Sequence, residues 1–225
     1  MEGLTVGTVV RNATGYLDRL VNQFGQLASA WDAPIHLICV EGDSTDGTYD
    51  RLKQHPPQVA EFTLLHVEHG GPFFDSKPYP QRWRQMALAC NAVLVHANLT
   101  PQTFLYVESD LIWDVRTLKA LVNDLKEVPA VAPMSFMLNN PVLFYDVWGH
   151  TKNGQKFGHH APYHNHIDPH HLSIIDTAGS CFAVRKQLLP HISFSYEDCI
   201  RGIGRTIRSA GHDLWLDPQL AVYHV

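Results

Sequence analysis

The segment Tyr106-Val107-Glu108-Ser109-Asp110 ends a short apolar run with two carboxylates one residue apart. At a strand end this spacing points both side chains to one side of the backbone, where together they can hold a hard divalent cation. Buried without a cation or a basic partner, two like charges are costly, and taken alone such a triplet is more often a pair of solvated turn residues. A second acidic segment, Val40-Glu41-Gly42-Asp43-Ser44-Thr45-Asp46-Gly47-Thr48, sets carboxylates and backbone amides where they can hydrogen-bond a base or ribose. The same residues also suit a turn in which Ser44, Thr45 or Asp46 caps the next helix. Histidine is abundant, with fifteen in 225 residues and six of them at 159, 160, 164, 166, 170 and 171. Imidazole ligates zinc well, but this spacing matches none of the common finger or helix patterns.

Other chemistries lack their signatures. There is no GxxxxGK[ST] loop, GxGxxG turn, GxSxG elbow or HExxH helix, so P-loop phosphotransfer, Rossmann redox chemistry, α/β-hydrolase and zincin readings lose their usual support. Composition narrows the class further. With 45% hydrophobic and 17% charged residues the chain has enough apolar surface to fold, and its length suits one domain. The net charge of -5 argues against a general phosphate-neutralising surface, though a nucleic acid remains open as a substrate. No apolar run reaches the roughly 18 residues of a membrane-spanning helix. The N-terminus lacks a signal-like pattern, and Cys39, Cys90, Cys181 and Cys199 are too scattered for a disulfide framework, so a cytoplasmic protein with buried thiols is expected.

The elements that must position these residues follow from periodicity. Apolar runs at Leu4 to Val10, Ile35 to Val40, Phe62 to Val67, Phe104 to Val107 and Ala130 to Phe136 predict strands. Helices are expected after Leu17, up to about Gln54, from about Gln81 to Ala97, and around Leu118 to Leu125. The third of these should bury Trp83, Met86, Cys90, Val93 and Leu94. This alternation implies βαβ units in a mainly parallel sheet flanked by helices, with ligand sites beyond the carboxyl ends of the strands. Leu138 to Pro169 shows no clear period and reads as a long functional loop. Ser180 to Arg185 predicts a strand, and Asp198 to Ala210 a helix closed by Gly211. Leu214 to Leu216 and Ala221 to Val225 predict two short closing strands.

In order and spacing, Val9-Val10-Arg11-Asn12, Glu41 to Thr48, Arg82 to Asn91, Glu108-Ser109-Asp110 and Glu197-Asp198 resemble GT-A-fold glycosyltransferases. The likeness is to the family 2 inverting enzymes and, more distantly, to Anp1-type mannosyltransferases. It covers most of the chain, from Val6 to His224. It implies that Arg11, Glu41 and, more weakly, Asp43 face the nucleoside. Lys77, Arg82 and Arg84 would approach the nucleotide, where a solvated helix face is the competing account. The DxD position falls on Glu108-Ser109-Asp110, with Glu in place of the first Asp. That leaves Asp110 as the metal ligand, joined by His224, and gives Glu108 and Ser109 donor contacts. Mn²⁺ is implied, with Mg²⁺ its competitor. Gly179 would line the donor site, and Asp176 stays open. Asp198 would take the proton of the acceptor hydroxyl, the alternative being a helix cap.

The resemblance thus implies one GT-A-like, Rossmann-like α/β domain, with a nucleotide-binding half at 1–112 and an acceptor-binding half at 113–225 that contains the loop 138–172. The implied activity is metal-dependent transfer of a sugar, with inversion, from a nucleoside diphosphate-sugar, UDP favoured, to a hydroxyl acceptor. That acceptor is a glycan, a small molecule or a modified nucleic acid base. Tyr145, Trp148, Tyr163 and some of the loop histidines would offer it stacking surfaces and hydrogen bonds, or else pack against the sheet. A metal-dependent nucleotidyltransferase or phosphoesterase, and a carbohydrate- or nucleotide-binding module, are the rival readings.

Overall fold

The computed structural model describes residues 3–74, 79–100 and 102–225, so Lys77 lies outside the described residues. The first half alternates strand and helix: β1 (Leu4–Val10), α1 (Leu17–Ala30), β2 (Ile35–Glu41), α2 (Thr48–Gln54), β3 (Glu61–His66), α3 (Pro80–Ala97) and β4 (Thr103–Val107). A two-residue strand β5 (Leu111–Ile112), helix α4 (Val115–Asp124) and strand β6 (Ala130–Met137) follow. Local chemistry sets several boundaries. Pro80 opens α3 at a position where its missing N–H costs nothing. The Asp114 carboxylate accepts from the Arg116 N–H at 2.7 Å and caps α4.

Strands β1, β2, β3 and β4 pair in parallel, as the alternation predicts. Their side chains divide between two cores with a period of two. On β4, Phe104 and Tyr106 join the layer formed with Cys90, Val93 and Leu94 of α3, while Leu105 and Val107 join Leu17, Leu20, Phe24 and Leu27 of α1. The result is a sheet covered by helices on both faces. Of the expected α3 stripe, Cys90, Val93 and Leu94 are buried, whereas Trp83 and Met86 are half-buried and face cavities.

The second half departs from the expected pattern. The segment read as a long functional loop holds β7 (Asn140–Phe144), which pairs antiparallel with β6, and a small hairpin of β8 (Thr151–Lys152) and β9 (Gln155–Lys156). Its order comes from aromatic packing rather than a hydrophobic period: the Phe144 ring lies 5.2 to 6.0 Å from His150, Phe157, Phe136 and Tyr163. Strands β10 (Ser173–Ile175) and β11 (Cys181–Val184) come next, with β11 running antiparallel between β4 and β6. A 3₁₀ turn at Lys186–His191 leads to α5 (Arg201–Ser209), after which Gly211 takes the left-handed conformation, φ 80°. The two closing strands are one, β12 (Leu214–His224), whose register on β6 shifts between Asp217 and Ala221. Pro218 sits in that irregularity, where no ladder hydrogen bond is required of it.

The sheet order is β10-β12-β6-β11-β4-β1-β2-β3. All four cysteines are free and buried, and burial pushes the Cys39 thiol up to about 12. Among the described residues no helix is long and apolar enough to cross a membrane.

Candidate functional site

The carboxyl edge of β1, β2 and β4 carries the polar segments, and each is held by the others. Ser44 Oγ accepts from the Asn12 N–H at 2.8 Å, Thr48 Oγ1 accepts from the Ala13 N–H at 2.7 Å, and Asp46 Oδ2 accepts from the Thr14 N–H and hydroxyl. Any burial cost at Asp46 is outweighed by the hydrogen bonds from Thr48 and Thr14, which hold its carboxyl at about 2. Capping and site-forming are therefore one arrangement here.

A cavity of about 380 Å³ opens above this edge, lined by Arg11, Tyr16, His69, Phe73, Arg82, Gln85, Glu108, Ser109 and Asp110 among others. Arg11 donates to Gln85 Oε1 at 2.9 Å and lies over the Phe73 ring. A second cavity, of about 410 Å³, is lined by Trp83, Tyr145, Asp146, Trp148, Ser180, Asp198 and Arg201 among others. Arg82, Met86 and Glu108 line both, so the two chambers meet at the end of β4.

The turn 108–110 leads from β4 into β5, which pairs antiparallel with the end of β12 so that Leu111 opposes His224. That register brings Asp110 and His224 together although 114 residues separate them: His224 Nε2 lies 3.0 Å from Asp110 Oδ2. Tyr145 stacks on the imidazole, with ring centroids 3.7 Å apart and planes at 16°. Arg19 braces the turn from below, donating to Leu111 O at 2.6 Å and to Ser109 O at 3.3 Å. Burial first, then the neighbouring Asp110 and Asp146 carboxylates, push the Glu108 carboxyl well above its usual range, and Arg82 offsets part of this.

The donor set suits a divalent cation. Asp110 Oδ1, Glu108 Oε1 and His224 Nδ1 are buried without a hydrogen-bond partner among the described residues. Those residues contain no cluster of three or more protein ligands. A site of one carboxylate and one imidazole that leaves the other positions to substrate phosphates and water fits Mg²⁺- and Mn²⁺-type binding.

Other expected residues stand elsewhere. Glu41 does not reach the first cavity: it is fully buried, and its carboxylate binds the Ser44 N–H and His66 Nδ1, both at 2.7 Å. Asp43 accepts from the His69 and Gly70 N–H groups and shapes the chamber wall from behind. Arg84 is exposed and lines neither chamber, whereas Arg82 lines both. The two sit about 200° apart around the helix and cannot share a face. Glu197 is exposed beside a different groove, and Asp176 pairs with Arg208 at 3.3 Å.

Asp198 lines the second chamber. It does not cap α5; Arg205 grips it with two bonds of 2.7 Å. Burial raises its carboxyl, but hydrogen bonds from Arg205 and Ser195 outweigh this and hold it below the usual range. Gly179 is small for a different reason than expected: a Cβ there would fall on the Asp146 carboxylate.

Asp146 is the main residue that sequence reasoning missed. It is buried at the floor of the second chamber, accepting from the Gly149 N–H at 2.9 Å and the Ser180 N–H at 3.1 Å, with His150 Nδ1 3.4 Å away. Burial pushes the carboxyl up, and the contacts from His150, Ser180 and Gly149 more than reverse it. Its only sequence signal is the bracket of small residues at 149 and 179–180. Tyr16, His69, Gln85 and Arg201 were likewise invisible before the chambers were seen. Of the histidine-rich segment, only His159 lines a chamber, while His164 is buried against Phe157.

No family model matches the chain, and no curated protein matches it in sequence. Solved structures do. TarS of S. aureus, residues 1-349, superposes with a TM-score of 0.62 at 16% identity, covering 99% of this chain and 60% of that one. It has also been solved with UDP and with UDP-GlcNAc. The mannosyltransferase PcManGT from Pyrobaculum calidifontis, in complex with GDP-Man and Mn²⁺, gives 0.57 at 18% identity, over 98% of this chain and 56% of that one. The glucosyl-3-phosphoglycerate synthase of Mycobacterium tuberculosis, in complex with Mg²⁺ and UDP, gives 0.52 at 15%, over 99% and 71%. The fold is the GT-A fold of glycosyltransferases. The chain spans about 60% of the length of the TarS fragment.

Proposed function

We propose that the protein is a glycosyltransferase that binds a nucleoside diphosphate-sugar in the first chamber and a hydroxyl acceptor in the second. The observation that carries this reading is the meeting of the two chambers at Arg82 and Glu108, with the Asp110–His224 pair on one side and Asp198 on the other. Residues 1–112 supply most of the donor side and residues 113–225 most of the acceptor side. Arg11, Phe73 and Tyr16 offer the nucleotide a cation and ring faces. UDP is the favoured carrier, since TarS and the mycobacterial synthase have been solved with it.

Asp110 and His224 would hold Mn²⁺ or Mg²⁺, which when bound supplies Lewis-acid neutralisation of the departing diphosphate. Arg82 adds a fixed positive charge at the boundary of the chambers. Asp198, ionised and aimed by Arg205, accepts the acceptor's hydroxyl proton as that oxygen bonds to the anomeric carbon. The bond from the anomeric carbon to the diphosphate oxygen breaks, and nucleoside diphosphate leaves. Attack from the Asp198 side, opposite the diphosphate, inverts the anomeric centre. Asp146, at the floor of the second chamber with its oxygens held in place, is suited to hydroxyls of the acceptor.

The test is incubation with a panel of nucleotide sugars and Mn²⁺, with the released nucleotide and the product's anomeric configuration read by NMR. Nucleoside diphosphate release with an inverted product is expected. Pyrophosphate or nucleoside monophosphate as the primary product would establish nucleotidyl transfer or phosphoester hydrolysis instead. Tight donor binding with no turnover on any acceptor would indicate a binding module.

A further inference from the structure

Helix α5 carries three arginines, Arg201, Arg205 and Arg208, and their surroundings differ. Arg205 is gripped by Asp198, and Arg208 contacts Asp176 through its carboxylate at 3.3 Å and its carbonyl at 2.8 Å. These pairings neutralise both charges. Arg201 makes no side-chain hydrogen bond or ion pair among the described residues, and its Nε is shut off from solvent without an acceptor. Its neighbouring carboxylate, Asp198, has both oxygens taken by the Arg205 fork. Arg201 lines the second chamber. The two terminal nitrogens of Arg201 are likewise unpaired among the described residues but not sealed off, and the chamber is where an acceptor for them can enter.

A second feature stands at the same chamber. Trp148 lines it with 59% of its surface exposed, and Lys156 of the β8–β9 hairpin holds its ammonium 3.7 Å from the ring centroid. The unpaired Arg201 and a flat aromatic face thus line the chamber, with Lys156 covering part of that ring. A guanidinium fork matches phosphate oxygens in a bidentate manner.

We propose that the acceptor bears a phosphate group, held by Arg201, while Trp148 offers its ring to the ring that carries the attacking hydroxyl. This rests on the transfer reaction above and narrows its acceptor class. The shared chemistry is a phosphate linked to a hydroxyl-bearing ring system, whether sugar phosphate or nucleotide.

The experiment pairs each acceptor with its phosphorylated form: methyl glucoside with glucose 1-phosphate, and 5-hydroxymethyldeoxycytidine with its 5′-monophosphate. Glucuronic acid provides a carboxylate contrast. With a donor that is turned over, the phosphorylated member of the pair that is used should show kcat/KM about tenfold or more above its neutral partner, as charge-assisted bidentate binding implies. Which pair responds separates a sugar phosphate from a nucleotide. Arg201→Gln should raise KM for the phosphorylated member and reduce the preference towards unity, and Arg201→Lys should keep part of it. The wild-type preference needs no variant and stands even if Arg201→Gln fails to fold. Equal use of phosphorylated and neutral acceptors, equal use of glucuronic acid, or an unchanged preference in a folded Arg201→Gln protein would overturn the proposal. Absence of nucleotide release from any donor would instead defeat the transfer reaction itself.

Discussion

The two chambers are built by different means. The first chamber rests on short loops at the ends of parallel strands, pinned to one another by backbone N–H groups that donate to Ser44, Thr48, Asp46 and Asp43 within a few residues of each strand end. The second chamber is assembled from segments with no common period: the β6–β7 connection, the hairpin, the turn before β11 and the start of α5. Aromatic packing around Phe144 and the buried Asp146 hold these together. A strand-end loop can keep its shape through local chemistry. The wall of the second chamber depends on residues distant in sequence, so single changes there should spread further.

If the halves are separable, Asp198→Asn should reduce sugar transfer by about 10² to 10⁴, the usual weight of a positioned base, while UDP affinity measured by calorimetry stays as it was. A parallel loss of UDP binding would break the division between the chambers. Arg205→Gln sharpens the same test. Arg205 holds the Asp198 carboxyl below its ordinary value, so removing it moves the acid limb of the pH profile of kcat/KM to higher pH.

The next effect falls on the seam between the halves. Asp110→Asn or His224→Ala should weaken Mn²⁺ binding, read by electron paramagnetic resonance, by at least the 10- to 100-fold that loss of an orienting partner costs. Tyr145→Ala should weaken it less and Tyr145→Phe hardly at all, because the stacked ring orients His224 and the hydroxyl makes no hydrogen bond among the described residues. If Tyr145→Phe matched Tyr145→Ala, stacking would not be the cause.

Glycines separate the two constructions on a smaller scale. Gly47 in the donor loop has φ 87° with open space around its Cβ position, so Gly47→Ala should cost about 1 kcal/mol of backbone strain. Gly179→Ala drives a methyl into the Asp146 carboxylate, and should cost about 1–3 kcal/mol in urea unfolding as overpacking does.

How far the sequence reached follows the same division. Strands β1 to β4 and helices α1 to α4 were legible because each carries its own apolar period and ends in capping or turn residues. The convergence of Asp110 with His224 was expected from resemblance, and its physical basis is the β5–β12 register, which no local pattern encodes. Glu41 was misplaced by one residue of strand: β2 continues through it, in register with Val10 and His66, so its side chain belongs to the sheet and not to the loop beyond. Asp146 and Arg201 were illegible for a deeper reason. The first is defined by glycines and a serine some thirty residues away, and the second by what Arg205 has already taken.

The smallest expected effect serves as a control, because it lies outside both chambers. Asp124 at the end of α4 faces Asp217 in the irregular part of β12, and burial first, then that neighbouring carboxylate, raise its carboxyl from 3.8 to about 6. A raised acid binds more protons folded than unfolded between these values, so stability falls as pH rises from about 4 to 6 and is level above. Asp124→Asn should therefore raise Tm at pH 7.5 and leave it unchanged near pH 3.5. The gain should be on the order of 1 kcal/mol, because solvent screens a half-buried pair. Nucleotide release and acceptor selectivity should not move. A change in either would mean that the strain between α4 and β12 reaches His224 at the strand's far end, and that the two halves of the site are coupled through the sheet.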